Sequence, residues 1–329
     1  TVDTVDYDDA SPWPITPDGS GPSLELQDPE SDNPLAVSWK ASLANGGTPL
    51  AGNSVSDLDL PVITDVSKPT DVQDTDTPTI TAHISGGTSN SLTYKVMFGS
   101  ETTVAMLDDG AHGDGASGDG VFGFSIPAQT AGDLIRYKVS SVNNNGTSTS
   151  PSIDDSIIYY GYTVQDTITT QLPILQWFID PDELEDLVEN HSQDDFSYSC
   201  VIAYGNTVID NASVHIKGST TRNLPKKAFA VDLPRGYKIQ FAGMTTPIDE
   251  FHLNSTALDN TKVADVLAWD LAKQIGMPTT QMFKIRLQGN SSFYGLYTFA
   301  EEYDKQWRDS NDYSEGSFYK GTQKRTRES

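Results

Sequence analysis

A turn of small and hydroxyl-bearing residues is the first group in the sequence that could do chemistry. It contains Gly218, Ser219, Thr220 and Thr221, and Arg222 follows directly. Glycine allows the backbone to approach an anion closely, hydroxyl and amide groups donate hydrogen bonds to it, and a guanidinium adds positive charge. Such groups hold the phosphates of a nucleotide. The same turn is equally an ordinary connection between two hairpin strands, and by itself it does not separate the two interpretations.

Two consecutive lysines, Lys226 and Lys227, open the strand that follows this turn. Successive side chains of a strand point to opposite faces, so Lys226 shares its face with Ala228 and Ala230, whereas Lys227 lies on the apolar side of Phe229. A small residue beside a nucleotide-binding lysine is the arrangement on the corresponding strand of ordinary kinases. We therefore prefer Lys226 as the phosphate-binding lysine, with Lys227 as second choice. The alternative is that both are solvated, as most lysines are.

A helix predicted over residues 261–275, with Asp259 or Asn260 as its cap, offers the lysine a partner. At 100° per residue Asp270 falls inside the apolar stripe of this helix, whereas Asp265 faces the opposite side. The stripe consists of Val263, Val266, Leu267, Leu271 and Ile275. A carboxylate on a core-facing stripe must be paired, and a helix acid pairs with the strand lysine in ordinary kinases. The alternative is a partly exposed Asp270 that bonds to a neighbouring backbone group.

Glu301 and Glu302 end the last predicted strand, where a kinase-like lobe would continue into its hinge. They could contact the sugar or base side of a nucleotide. They could equally begin a charged helix, and the sequence gives both readings the same weight.

An Asp- and Gly-rich stretch at residues 108–120 is the densest polar segment of the chain. Its carboxylates Asp108, Asp109, Asp114 and Asp119 are candidate calcium ligands, because hard cations bind several oxygens on a flexible loop. The spacing is not that of an EF-hand. The favoured alternative is a long loop whose Asp side chains bond to their own backbone.

Four blocks after about Pro173 resemble the CotH family, in the family's order. They are residues 214–229, 252–278, 295–304 and 316–321. The family is named for a spore-coat protein, and its characterised members are atypical kinases that phosphorylate secreted proteins. The resemblance implies ATP with Mg²⁺ or Mn²⁺ as cofactor, a protein substrate, and a kinase-like small lobe. The catalytic Asp and the metal-binding Asp and Asn of a kinase follow the hinge. No matched motif after Glu302 supplies them, so we assign no catalytic residue and expect this chain to be inactive alone.

The regions before residue 173 have the alternation of β-structure. Short period-two strands at 78–165, separated by Gly- and Asn-rich turns, indicate an immunoglobulin-like sandwich. Residues 54–77 are rich in Asp, Ser, Thr and Pro and are predicted to be a linker. Residues 1–53 resemble the C-terminal part of a bacterial lamin-tail-like domain, a small β-sandwich.

Composition limits the classes of partner. The chain has 46 acidic and 21 basic residues, a net charge of −25 and a pI near 4.3, which argues against nucleic acid. Cys200 is the only cysteine, so no internal disulfide is expected. No apolar run is long enough to cross a membrane, and the start without Met suggests a sequence cut before its first residue.

Together these features predict two β-sandwich modules followed by an α+β kinase-like small lobe. The predicted boundaries are 1–53, linker 54–77, 78–165, a partial CotH domain at 173–322, and a tail at 323–329. The predicted function is that of a fragment of a secreted or surface-bound bacterial CotH-family kinase acting on extracellular proteins. The alternative is a non-catalytic surface or adhesion protein that uses the same modules to bind a partner.

Overall fold

The computed structural model of the chain describes residues 5–19, 21–28, 33–56, 60–244 and 246–304, together with 307, 308, 311 and 313. Three units follow one another: a two-stranded sheet, a pair of larger sheets and a closed barrel. Within this described part, no helix has the length and apolar character that crossing a membrane requires. The block at 316–321 and the tail at 323–329 lie outside the described residues.

The N-terminal unit contains β1 (Pro22–Leu26) and β2 (Trp39–Asn45), which pair in antiparallel fashion. Buried Glu25 holds the following loop, because its carboxylate accepts hydrogen bonds from the Thr48 hydroxyl at 2.7 Å and from the Ser54 N–H at 2.8 Å. A sandwich requires two facing sheets. The described residues of this region form one two-stranded sheet, and the lamin-tail-like sandwich of which it would be a part stays a prediction.

The second unit is the predicted antiparallel sandwich. Its strands are β3 (Val62–Thr64), β4 (Thr79–Ser85), β5 (Ser89–Val96), β6 (Thr102–Ala105), β7 (Val121–Ser125), β8 (Leu134–Asn143), β9 (Gly146–Ser150) and β10 (Tyr160–Thr163). One sheet has the order β3-β4-β7 and the other β10-β8-β5-β6, with β9 also paired to β8. Ile80, Leu92 and Tyr137 are fully buried between them. The period-two alternation therefore identified this unit correctly.

The predicted linker at 54–77 is in part a component of the sandwich. Strand β3 pairs with β4, and Ile63 and Val66 pack against the sandwich core. Val72 is buried in that core, and its carbonyl accepts a hydrogen bond from the Gln165 N–H at 2.7 Å. The sequence pattern did not reveal this, because Ile63, Val66 and Val72 are single apolar residues among turn-forming residues and do not belong to a long alternating run.

The third unit is a closed seven-stranded barrel with two α-helices in its described part. Its elements are β11 (Ile174–Phe178), α1 (Pro181–Glu189), β12 (Ser197–Tyr204), β13 (Thr207–Lys217), β14 (Ala228–Asp232), β15 (Glu250–Asn254), α2 (Ala264–Gln274), β16 (Met282–Gly289) and β17 (Ser292–Glu301). The strand order is β11-β12-β13-β14-β15-β17-β16, and β16 closes the barrel by pairing in parallel with β11. The predicted α+β small lobe is thus replaced by a β-barrel, because β11 joins the two edges of the sheet.

The barrel interior is packed with apolar side chains. Trp177, Phe229, Phe251 and Phe299 are all buried there. Helix α1 adds the buried Leu187 to the same core. Helix α1 begins at Pro181, and the Asp180 carboxylate caps it by accepting from the Asp182 N–H at 3.0 Å.

The sandwich and the barrel share a buried contact. Leu134 of β8 packs with Phe178, Val201 and Ala203 of the barrel. Beside this cluster the Asp210 carboxylate lies 3.3 Å from an Arg136 guanidinium nitrogen and also accepts from the Tyr159 N–H at 3.1 Å. The outer face of β11 and β12 is therefore covered by the sandwich.

Candidate functional site

The outer face of β13 to β17 collects polar side chains in rows that cross the strands. One row contains His215, Ala230, His252, Ala300 and Met282. The next row contains Asn254, Thr298 and Lys284. On the other side of the histidine row Asp232 faces Glu250. Cationic groups therefore lie toward one end of these strands and carboxylates toward the other.

Helix α2 is attached to the cationic end by a half-buried polar contact. The Asp265 carboxylate lies 2.9 Å from the Lys284 ammonium and accepts a hydrogen bond from the Thr298 hydroxyl at 2.6 Å. Lys284 also donates to Thr298. Although burial works in the opposite direction, these bonds lower the pKa of Asp265 below its ordinary value. A helix carboxylate paired with a strand lysine is thus present, formed by residues other than the predicted ones.

Lys226 lies next to this contact, where β15 has ended and leaves β17 without a neighbour. Its ammonium donates to the Leu296 carbonyl and lies 4.3 Å from the centre of the Tyr297 ring. Burial, followed by the charges of Lys262 and Lys284, lowers the pKa of Lys226. We call Lys226, Lys262 and Lys284 the lysine cluster.

Lys262 completes the lysine cluster from the loop before α2. Its ammonium donates to the carbonyls of Thr256 at 3.0 Å and Ala257 at 3.4 Å. Among the described residues, neither Lys226 nor Lys262 forms a salt bridge with a carboxylate. Two of the three charges are therefore uncompensated by an acid.

The predicted phosphate turn is closed by its own residues. Arg222 donates to the Gly218 carbonyl at 2.7 Å and to the Asp195 carboxylate at 2.5 Å, and Lys227 donates to the Arg222 carbonyl at 2.6 Å. Gly218 has φ of +113°, and a Cβ there would lie 2.2 Å from the Thr221 hydroxyl. Gly218 and Ser219 are exposed, and the side chain of Thr220 lies outside the described residues. In this arrangement Arg222 and Lys227 hold the hairpin connection.

Asp270 does not pair with a lysine. It is exposed and accepts a hydrogen bond from the Gln274 side chain at 2.8 Å. The prediction of a core-facing apolar stripe is wrong in the described structure, because Leu267 and Leu271 are 62% and 60% exposed. Helix α2 instead approaches the barrel through polar contacts, including a bond from the Trp269 indole N–H to the Thr280 carbonyl at 2.9 Å.

The two glutamates at the end of β17 have different surroundings. Glu301 is buried, its carboxylate accepts from the Gln281 N–H at 2.8 Å, and burial raises its pKa. Glu302 is half-buried and lies 3.1 Å from the His252 Nε2 atom. Strand β17 ends at Glu301, and the chain then leads to the helical residues Trp307 and Arg308. The Trp307 N–H donates to the Asp304 carboxylate at 2.7 Å, so a helix does begin shortly after the two glutamates, as the second reading of the sequence expected.

Glu250 joins Glu302 and His252 in a cluster whose ligand atoms all lie within 4.8 Å of one another. Burial and then the charges of Asp232 and Glu302 raise the pKa of Glu250 to about 7. Sequence reasoning did not single out Glu250 or His252. The signal was present, since an acid and a histidine two residues apart lie on one face of a strand.

The Asp- and Gly-rich loop has the geometry of the alternative interpretation. Each of the four candidate carboxylates accepts hydrogen bonds from backbone N–H groups of the loop. Asp114 is buried and accepts from the N–H groups of Asp109 at 2.7 Å and Gly110 at 3.0 Å. Within the described residues, no three ligand atoms of this loop converge as they do around His252. Calcium binding by the loop remains a prediction.

Comparisons with known families agree with the order of the units. Residues 53–152 match the second Ig-like domain of conditioned medium factor, and residues 214–329 match the CotH kinase protein family. The chain thus carries an Ig-like domain followed by a kinase-related domain. The residues matched to the CotH family include the lysine cluster and helix α2. The lamin-tail resemblance has no counterpart among these matches and stays a prediction.

Other comparisons add little. No curated protein matches the chain significantly. Among solved structures, the Br derivative of BhCBM56 is 14% identical, covers 26% of this chain and 76% of its own length, and has a TM-score of 0.20. A chimeric titin Z1Z2 carrying a decorin peptide is 13% identical, with 54% and 90% covered and a TM-score of 0.22. TM-scores this low carry no argument about fold or function.

Proposed function

We propose that the barrel domain binds the phosphates of ATP at the lysine cluster and that this binding serves phosphoryl transfer in the CotH family. The observation that carries the proposal is the 2.9 Å pair between Asp265 of α2 and Lys284 of β16. A helix acid that holds a strand lysine is the arrangement found in kinases. Lys226 lies beside this pair, and no carboxylate of the described residues forms a salt bridge with it.

The charges of the cluster suit a polyanion. Ammonium groups stabilise the negative charge of phosphoryl oxygens, and their effect is larger where burial lowers the local dielectric constant. Lys226 is half-buried, and its pKa is lowered by burial and by its two lysine neighbours. The negative charge of a bound phosphate group would offset both the burial of the ammonium and its repulsion by the two neighbouring lysines. The residues present therefore fit the phosphates of the nucleotide.

The residues of the lysine cluster offer few ligands for the metal ion that accompanies the nucleotide. Mg²⁺ and Mn²⁺ bind carboxylate oxygens. Asp265 is the carboxylate bonded to the cluster, and its two oxygens already bond to Lys284 and Thr298. The ion would be carried by the phosphates, and its protein ligands remain a prediction, as do the secreted location and the protein substrate.

Calorimetric titration of the full chain with a non-hydrolysable ATP analogue and Mg²⁺ tests the proposal. Lys226→Met should weaken binding by about tenfold or more, because a hydrogen bond to a charged group is lost. Lys273→Met is the matched control, since Lys273 is an exposed lysine at the end of the same α2 helix. Equal affinities for the two variants would contradict the proposal.

A non-catalytic binding scaffold is the second candidate function. It is favoured by the bonds that Lys226 and Lys284 already make to protein groups, which are the bonds expected of purely structural lysines. The same titration separates the candidates, because a scaffold predicts no saturable binding of the nucleotide to the unaltered chain.

A further inference from the structure

The carboxylate end of the polar face carries a second group of convergent side chains, separate from the lysine cluster. It consists of Glu250 and His252 on β15 and Glu302 directly after β17. We propose that these three residues form a binding site for a divalent transition-metal ion, with Zn²⁺ as the ion whose ligand preferences fit best. The proposal does not depend on nucleotide binding.

Strand register brings the three side chains together. Glu250 and His252 are two residues apart on one strand, so both project from the same face. Phe251 pairs with Glu301 across the β15–β17 ladder, and this pairing places Glu302 beside Glu250 on that face. The strands belong to a closed barrel, which fixes the three Cα positions relative to one another. A metal site built on such rigid elements needs only side-chain rotation to form.

The types of donor atom favour a transition metal. Zn²⁺ binds imidazole nitrogen and carboxylate oxygen at about 2.0–2.2 Å, whereas Mg²⁺ and Ca²⁺ prefer oxygen ligands alone. The ligand atoms of the cluster lie within 4.8 Å of one another, and His252 is 3.1 Å from Glu302. Three protein ligands leave a fourth position open, as in sites where zinc binds water or a substrate.

The charge around the cluster favours a cation. Asp232 faces Glu250 across the β14–β15 ladder, and Asp304 follows Glu302 by two residues. Glu302 forms a salt bridge with His252, and no described lysine or arginine forms one with Glu250. Half-buried carboxylates this close repel one another in the absence of a counterion. A divalent ion would compensate two of these charges.

A competing explanation is that His252 and Glu302 form a simple ion pair with no affinity for metal. Thermal unfolding and calorimetry of the full chain, freed of metal with EDTA and then supplied with Zn²⁺, Mg²⁺ or Ca²⁺, distinguish the two. We expect Zn²⁺ to bind and to raise the melting temperature, and Mg²⁺ and Ca²⁺ to have little effect. An equal rise with all three ions would indicate a general effect of the acidic surface and would overturn the proposal.

Two variants locate the site. His252→Ala and Glu302→Gln should each weaken zinc binding by at least about tenfold, since even outer-shell changes at metal sites have effects of this size. His191→Ala is the matched control, because His191 also lies between two carboxylates, 3.3 Å from Asp186 and 3.0 Å from Asp194. It should bind zinc like the unaltered chain.

The nearly isosteric Glu302→Gln keeps the test decisive if the alanine variant fails to fold. The visible spectrum of bound Co²⁺ gives a further readout, since tetrahedral nitrogen and oxygen ligands produce bands that aqueous Co²⁺ lacks. Loss of these bands in Glu302→Gln supports the site. Unchanged bands and unchanged zinc affinity in that variant, or no zinc binding by the unaltered chain, overturn it.

Discussion

Lys226 shows how one residue can be structural and still be available to a ligand. It donates to the Leu296 carbonyl, which β15 no longer covers, and it lies over the Tyr297 ring. Neither partner carries a negative charge. Its positive charge is therefore disfavoured by burial and by the neighbouring lysines. A bound anion would stabilise this charge.

The lowered pKa of Lys226 predicts a pH dependence of stability. Between the lowered folded-state pKa and the ordinary value of 10.5, the unfolded chain binds more protons than the folded chain. The free energy of unfolding should therefore receive a contribution that increases with pH across this window. Urea unfolding of the unaltered chain and of Lys226→Met, followed from neutral to alkaline pH, measures it as the difference between the two curves. A difference that stays constant with pH would contradict the assignment.

Helix α2 shows where local sequence patterns stop being informative. Its location was predicted within three residues at each end. The predicted cap was wrong, because Val263 occupies the N-cap position and makes no side-chain cap bond, although the Asp259 carboxylate accepts from the Ala264 N–H at 2.9 Å. The orientation of α2 was predicted wrongly. The spacing of 100° per residue placed the apolar stripe of the helix against the barrel. In the structure, Asp265 and Trp269 on another side of the helix make the polar contacts with Lys284 and Thr280. Polar contacts with specific partners leave no periodic signal, so Asp270 was chosen in place of Asp265.

The closure of the barrel could not be predicted from local sequence patterns either. Strands β11 and β15 are only five residues each, which is too short for a pattern of alternation to identify them firmly. The parallel pairing of β11 with β16 joins segments more than 100 residues apart. Lys226, Gly218 and Glu302 were recognised from residue type and family resemblance. Glu250 and His252 were not, because their meeting with Glu302 depends on the β15–β17 register.

The Asp265–Lys284 pair should account for much of the attachment of α2. Asp265→Asn leaves a lysine that is 10% exposed without its counterion, and we expect the free energy of unfolding to fall by about 2–3 kcal/mol. A double-mutant cycle with Lys284→Met, measured by urea unfolding, isolates the pair. Asp270→Asn is the control on the same helix and should change little, since Asp270 is exposed. A larger effect at Asp270 than at Asp265 would refute this view of the helix.

At the scale of the whole molecule, the sandwich and the barrel form one connected body. Asp210 of β13 is buried, pairs with Arg136 of β8 and accepts N–H bonds from Ile158 and Tyr159. The Ser291 hydroxyl donates to the Gly132 carbonyl at 2.7 Å across the same boundary. These bonds surround the shared apolar cluster, so the two units should unfold together.

Asp210→Ala tests this coupling. Removal of one partner of a buried ion pair leaves the other uncompensated and should lower the free energy of unfolding by about 3 kcal/mol or more. Differential scanning calorimetry should show the single transition of the unaltered chain divide into two. Asp74→Ala, an exposed position in the same chain, serves as the control. A single undivided transition in Asp210→Ala would mean that the apolar cluster alone couples the units.

Closure of the barrel also restricts how another protein can be recognised by this domain. Each of the seven strands of the described barrel has two neighbours, although β17 extends beyond the end of β15 near Leu296. A peptide therefore finds no strand whose whole edge is unpaired, which is what the addition of a strand to a sheet commonly uses. Recognition of a protein partner by this barrel would therefore depend mainly on side chains and loops of its outer face, and substitutions there could change the partner without changing the fold.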